Sequence, residues 1–260
     1  MYRMVFFDID GTLLNAKRQL PETVIWAVKE LQNNGIITAI ATGRTPYNIE
    51  DVITALGIDT YVVYNGGLLI YEGEVLEQTE IEPPTLKSMV ERVQAHKHSL
   101  IVNEQHGYSV LSDNPEYVLG LLGKHWNRKR MRLFDGLHGP VSQLELFCSF
   151  AEIHEYIEAY PNLTFHPWST GDSMFNVIPR GVSKAKGIAS IIERLGIDRE
   201  EVVAFGDGPN DMEMISYVGM GVAMGNGVDE LKQVARMTTK AADDDGIVYA
   251  LRELGLLSKS

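Results

Sequence analysis

The apolar residues of this chain fall in short blocks whose spacing switches between two periods. Met4–Phe7 is an unbroken apolar run, the pattern of a strand buried on both faces. After Pro21, Val24, Val28 and Leu31 recur on one helical face until Gly35 ends the run. Ile36–Ile40 then predicts a second strand, residues 48–56 a second helix closed by Gly57, and Tyr61–Tyr64 a third strand. This β-α-β-α-β order predicts a doubly wound α/β core with a parallel sheet and helices on its faces.

The same alternation returns near the C-terminus, with helices predicted over 186–195, 211–217 and 228–235 and strands over Val202–Phe205 and Gly221–Met224. Between the two blocks the texture changes. Helical patterns over 85–95 and 151–159 sit among strand-like runs such as Leu144–Phe150 and Met174–Ile178. Pro83-Pro84 and Pro179-Arg180-Gly181 punctuate the two borders. The reading is a core domain from residues 1–82 and 182–260, interrupted by an inserted α+β domain over 83–181.

Composition narrows the function classes. A net charge of -12 argues against a general nucleic-acid binder, which needs excess Lys and Arg against phosphates. No apolar run approaches transmembrane length and none near Met1 resembles a signal segment, so no membrane partner and a cytoplasmic location are expected. The single cysteine, Cys148, has no partner for an internal disulfide, and its flanks Leu146-Phe147 and Phe150 read as core.

In an open parallel sheet, ligands bind beyond the carboxyl ends of the strands. Four predicted strand ends carry polar residues: Asp8-Ile9-Asp10-Gly11-Thr12, Thr42-Gly43-Arg44, Asn65-Gly66-Gly67, and Gly206-Asp207-Gly208-Pro209-Asn210-Asp211. Four aspartates converging there are costly without a cation, and a donor set of oxygens without His or Cys suits Mg²⁺ rather than zinc. Asp8 can attack phosphorus, while Asp10 can serve as acid and then base. Thr42, Gly43 and a cation such as Lys184 suit a phosphoryl group. Lys186 competes with Lys184 for that part on spacing alone, and Asp-x-Asp-Gly taken alone also describes a turn.

Together, DIDGTLL, ATGR, GVSK and GDGPND occur in the order and spacing of the four motifs of the haloacid dehalogenase superfamily, which the chain resembles. The insert between the second and third motifs, with Asn65-Gly66 and FNVIPRGVSK, is similar to the Cof-type phosphatases of that superfamily. The resemblance implies a Rossmann-like core and a large cap that selects the substrate. It implies Asp8 as nucleophile and Asp10 as acid/base, with Mg²⁺ held by Asp8, the Asp10 main-chain carbonyl and Asp207. Phosphate would meet the Ile9 amide, Thr42, Gly43, Lys184 and Asn210, with Asp211 supporting the metal from behind. The implied activity is hydrolysis of a small phosphorylated metabolite, such as a sugar phosphate or phosphorylated cofactor, through an aspartyl-phosphate. Phosphotransfer by the same residues, as in a mutase, and a receiver-like module that stores phosphate on Asp8 are the alternatives.

Other features carry less. Asp243-Asp244-Asp245-Gly246 lacks the donor spacing of a calcium loop and reads as a turn. The basic run Arg128–Arg132 reads as an exposed face or an anion-attracting patch. The histidines are scattered through the insert without metal spacing, although His96 and His98 could share a strand face. Trp126 and Trp168 read as core.

Overall fold

The computed structural model describes residues 1–104, 106–122, 126–168 and 173–258. His125 lies outside the described residues. Among them are the strands β1 (Met4–Phe7), β2 (Ile37–Ala41), β3 (Tyr61–Val63), β4 (Leu68–Tyr71), β5 (Glu74–Gln78), β6 (Ser99–Glu104), β7 (Gly107–Leu111), β8 (Met131–Leu133), β9 (Leu144–Phe147), β10 (Leu163–Pro167), β11 (Met174–Pro179), β12 (Val202–Gly206), β13 (Met220–Ala223) and β14 (Met237–Thr238). The α-helices are α1 (Glu22–Asn33), α2 (Glu50–Leu56), α3 (Pro83–Ala95), α4 (Pro115–Leu122), α5 (Ile153–Ala159), α6 (Lys184–Leu195), α7 (Met212–Tyr217), α8 (Asp229–Val234) and α9 (Gly246–Glu253). No helix of the described residues is long and apolar enough to cross a membrane.

The chain forms two compact units. The first comprises Met1–Arg44, Ile49–Glu77 and Ser183–Ser260; the second comprises Thr45–Asn48 and Gln78–Val182. In the first unit, an eight-stranded sheet runs β14-β13-β12-β1-β2-β3-β4-β5. The pairs β13/β14, β12/β13, β1/β12, β1/β2 and β2/β3 are parallel, as the alternating pattern predicts. β1 is central and wholly buried, which is why its sequence carries no polar residue. Two apolar clusters cover the sheet faces, one gathering Val28, Leu31 and Leu251, the other Ile188, Ile191 and Met214.

The β4–β5 edge departs from the sequence reading. β4 runs antiparallel to β3, and the turn into β5 places both Glu72 (φ 49°) and Gly73 (φ 79°) in the left-handed region. A primed turn of this kind is announced by Asn-Gly or Asp-Gly; Glu-Gly is a weaker signal. The second helix also starts later than predicted. Pro46–Asn48 is a separate 3₁₀ turn, and α2 begins at Glu50.

The second unit is a six-stranded sheet in the order β10-β11-β9-β6-β7-β8, antiparallel except for β7/β8. One face packs Leu100, Val102, Leu144 and Leu146 against α3 and α5, with Cys148 buried in the same cluster. The other face gathers Ile101, Tyr108 and Phe147 with Tyr47, α4 and Trp126. His96 and His98 do not lie on a strand. Lys97 turns through φ 56° between them, so His96 caps α3 and His98 meets the Tyr156 hydroxyl at 2.7 Å. The basic run is partly neutralised, because Arg132 pairs with Glu104 and Asp135.

One group in this unit is at odds with its burial. Glu145 on β9 is fully buried and accepts from Asn103 Nδ2 at 2.7 Å and Gln143 Nε2 at 3.0 Å. Burial pushes its carboxyl up to about 7 from an ordinary 4.5, despite the opposing pull of the Gln143 and Asn103 hydrogen bonds. The unfolded chain therefore loses this proton above pH 4.5, while the fold keeps it until about pH 7. Stability contributed below pH 4.5 is lost across that window, on the order of 3 kcal/mol at full effect. In Glu145→Gln the slope should flatten. Denaturant unfolding followed at Trp126 and Trp168 between pH 5 and 8 checks it; a slope equal to wild type refutes it.

Candidate active site

β1 ends at Phe7, and the ladder to β12 continues one step further, because Asp8 N donates to Phe205 O at 2.9 Å. Asp8 is thereby fixed at the carboxyl end of the central strand, at the point where neighbouring strands lead off to either side. The chain then reverses through Gly11 (φ 76°), with Leu13 N bonding Asp8 O and Leu14 N bonding Ile9 O. A Cβ at Gly11 would lie 2.2 Å from Asp207 Oδ2, so only glycine lets this turn pass the Asp207 carboxylate. Ile9 is anchored in the core. Asp8 is 6 % exposed, while the Asp10 side chain is 45 % exposed, so the two carboxylates occupy different media.

Lys184 opens α6, with the Ser183 side chain accepting from Lys186 N at the cap. It is 1 % exposed, and its Nζ lies 2.6 Å from both Asp8 Oδ1 and Asp211 Oδ1. Lys186 is exposed. Asp211 has little left to offer elsewhere: its other oxygen accepts from the Asp207 and Gly208 amides, both at 2.9 Å. Asp207 follows β12 and accepts from the Thr12 hydroxyl at 3.0 Å.

Carboxylate oxygens of Asp8, Asp207 and Asp211 all lie within 4.8 Å of one another. Burial is the first cause that raises the Asp8 carboxyl well above its ordinary value; Lys184 opposes it, and Asp211, Asp207 and Asp10 add to it. Asp207 is pushed up to about 6, by burial first and Asp211 next. Burial works against a charged Lys184, but Asp211 and Asp8 outweigh it and hold the ammonium protonated. Three carboxylates against one ammonium leave negative charge in a confined space. That deficit, with an all-oxygen donor set, fits a hard divalent cation.

The remaining predicted residues converge on the same sheet edge. Thr42 follows β2 and is 1 % exposed; its hydroxyl accepts from Arg44 N at 3.2 Å. Asn65 N donates to Thr42 O, and Asn65 Oδ1 accepts from Asn210 Nδ2 at 3.0 Å. Gly43 passes so close to Asn65 that a Cβ would meet its side-chain amide at 2.9 Å.

Several contributors were not singled out from sequence. Arg44 grips Asp10 with two prongs, Nε to Oδ2 and NH2 to Oδ1, each at 2.7 Å, and Arg18 stands 3.9 Å from the same carboxylate. Thr12 orients Asp207, and Asn226 ties Gly11 O to the Ala242 amide. A cation two residues after a strand-end threonine was the available signal for Arg44. Nothing in the spacing marks Arg18 or Asn226.

The family model for haloacid dehalogenase-like hydrolases matches residues 5–251. The chain is 36% identical over 258 residues to YkrA of Bacillus subtilis (strain 168), a phosphatase by provisional assignment, with 98% of each chain covered. It is 29% identical over 240 residues to an HMP-PP phosphatase of Cronobacter sakazakii (strain ATCC BAA-894), covering 89% of this chain and 87% of the other. Among solved structures, the subclass IIB sugar phosphatase BT4131 superposes with a TM-score of 0.87 at 31% identity, covering 98% of this chain and 100% of the other.

Proposed function

Because this chain belongs to the haloacid dehalogenase-like hydrolase family, we propose that it is a Mg²⁺-dependent phosphatase that cleaves small phosphomonoesters through an aspartyl-phosphate on Asp8. The observation that carries this reading is the split between two aspartates two residues apart. Asp8 is buried against an ammonium, and Asp10 is half-exposed in the fork of an arginine.

Asp8 attacks phosphorus in line with the leaving oxygen, the phosphorus–leaving oxygen bond breaks, and Asp10 gives that oxygen its proton. Water then attacks the aspartyl-phosphate, with Asp10 taking its proton, and Asp8 is regenerated as phosphate leaves. Lys184, the Thr42 hydroxyl and the amides of Ile9 and Gly43 stabilise charge on the transferred oxygens, and Asn210 borders them. Asp8, the Asp10 carbonyl and Asp207 would hold Mg²⁺, which when bound offsets the repulsion between carboxylate and phosphate. Asp211 supports them from behind, since both of its oxygens are already engaged with Lys184 and two amides.

The sugar phosphatase and HMP-PP phosphatase among the relatives support a small phosphorylated metabolite as substrate. The test is phosphate release from sugar phosphates, nucleotides, flavin mononucleotide and pyridoxal phosphate. Isomerised product without free phosphate would instead mean phosphotransfer, and a stable phosphoenzyme without turnover a receiver-like module. Chelation should abolish release, and Mg²⁺ should restore it. Full activity after exhaustive chelation would remove the metal from this account.

A further inference from the structure

Within the first unit, the turn that carries Asp8 and Asp10 and the end of β12 at Asp207 are both held by a third stretch, the loop after β13. The main chain of that loop holds the β12 end: Met224 N donates to Gly206 O at 2.9 Å and Val228 N to Asp207 O at 3.0 Å. Its side chain holds the turn. Asn226 Nδ2 donates to Gly11 O at 2.8 Å, and Asn226 Oδ1 accepts from Ala242 N at 2.8 Å. Only one orientation of the amide serves both, since a carbonyl must receive a donor and an N–H an acceptor. Ala242 is buried in the same apolar cluster as Ile9, Leu13 and Leu14. Two further bonds fasten its neighbours to the chain beyond Gly11: Ala16 N donates to Asp243 Oδ2 at 3.3 Å, and the Thr23 hydroxyl to Asp245 Oδ1 at 2.6 Å. Asn226 thus braces the turn at Gly11 against a fixed part of the core.

Asn226 is itself exposed, so burial of its side chain is not what it contributes. Its contribution lies at Gly11, which has φ 76° and no side chain to restrain it. A peptide unit is planar, so fixing Gly11 O fixes the plane that continues into Thr12. Thr12 is 1 % exposed, and its hydroxyl donates to Asp207 Oδ1 at 3.0 Å. Asp207 is therefore held at its main chain by the loop and at its carboxylate by the turn, while Asn226 ties loop and turn together. The spacing has little slack, since a Cβ at Gly227 would lie 3.1 Å from Asp207 Cα. Mg²⁺ demands near-octahedral oxygens at about 2.1 Å, so its affinity is sensitive to that spacing.

We propose that Asn226 is a positioning residue for the metal: its amide sets the separation between the Asp10 main-chain carbonyl and the Asp207 carboxylate. The inference rests on the reading of those groups, with Asp8, as the ligands of Mg²⁺. It assigns a determinant of metal affinity to an exposed side chain whose own donor and acceptor are both engaged with main chain.

The test is calorimetric titration of Mg²⁺ into the full-length protein stripped of metal, with thermal unfolding measured in parallel. Asp207→Asn should lose Mg²⁺ binding; if it binds as tightly as wild type, the metal reading fails, and the proposal with it. Given that loss, Asn226→Ala should raise the Mg²⁺ dissociation constant about tenfold, as when an outer partner of a metal ligand is removed. Asn226→Asp separates position from charge. It keeps an oxygen for Ala242 N but has no donor for Gly11 O, so Mg²⁺ binding should weaken here too, although an added carboxylate acting by charge alone would tighten it. This variant also covers the case of a poorly folding Asn226→Ala. Gln32→Ala, which removes the bonds to Thr38 Oγ1 and Leu56 O elsewhere in the same unit, should lower the unfolding temperature yet keep Mg²⁺ affinity within about twofold of wild type. Wild-type or tighter Mg²⁺ binding in either Asn226 variant, or an equal weakening in Gln32→Ala, would overturn the proposal.

Discussion

Asp8→Asn should lower phosphate release by about four orders of magnitude, as expected when the nucleophile of a covalent mechanism is removed, while the protein stays folded. The structure separates these two outcomes. Asp8 contributes its carboxylate against the preference of its surroundings, since burial and the neighbouring carboxylates of Asp211, Asp207 and Asp10 all raise its pKa. A carboxyl raised in the fold contributes stability only below its ordinary value, and that contribution is lost as pH rises. At pH 7.5 a neutral isostere removes the penalty, although it also weakens the bond to Lys184. Asn at position 8 should therefore match or exceed wild-type stability. Intact-mass analysis during turnover should show a phosphate adduct on wild type and none on Asp8→Asn. Comparable activity in the variant would assign the nucleophile elsewhere.

That the nucleophile was legible in sequence at all follows from the sheet. Met4–Phe7, Ile36–Ile40 and Val202–Phe205 are short, mainly apolar runs, interrupted only by Thr38, that give way to polar residues within two positions of their ends, because buried parallel strands carry few polar side chains before they emerge. The strand ends, and with them Asp8, Thr42 and Asp207, are therefore marked by local pattern. Lys184 and Lys186 were indistinguishable by pattern. The structure separates them because the first lies at the opening of α6 beside two carboxylates and the second points to solvent.

What depended on long-range geometry was not legible. The Arg44 fork on Asp10 joins residues 34 positions apart, and the Tyr47–Asn103 bond joins residues 56 apart. Neither leaves a periodic trace. The helix predicted from residue 48 takes in the end of the Thr45–Asn48 turn, and local pattern does not show the partners that group this turn with the second unit, Asn103 of β6 for Tyr47 among them. The β4–β5 hairpin was hidden for a different reason: its turn sets a glutamate in a left-handed conformation that sequence rules reserve for Asn, Asp or Gly.

Lys184→Met should damage both stability and activity, the opposite of the Asp8→Asn pattern. Methionine approximates the volume of lysine, so the cavity term is small and the electrostatic term stands alone. Without the ammonium, Asp8 Oδ1 and Asp211 Oδ1 each lose a partner at 2.6 Å, in a place where both residues are almost completely buried. Removing one partner from a buried ion pair costs about 3–5 kcal/mol, because the remaining charge keeps its desolvation penalty. The loss should be smaller in Asp8→Asn/Lys184→Met, where one of the stranded carboxylates is gone. Activity should fall about 10²–10³-fold through loss of a cation at the transferred oxygens. Lys184→Arg should not restore it: a planar guanidinium cannot place one compact charge between two oxygens that a single Nζ now reaches. Denaturant unfolding of the four proteins, wild type, both single variants and the double, gives the coupling energy between positions 8 and 184 directly. A coupling near zero would mean that the two side chains do not depend on one another, and the buried ammonium would lose its place in the mechanism.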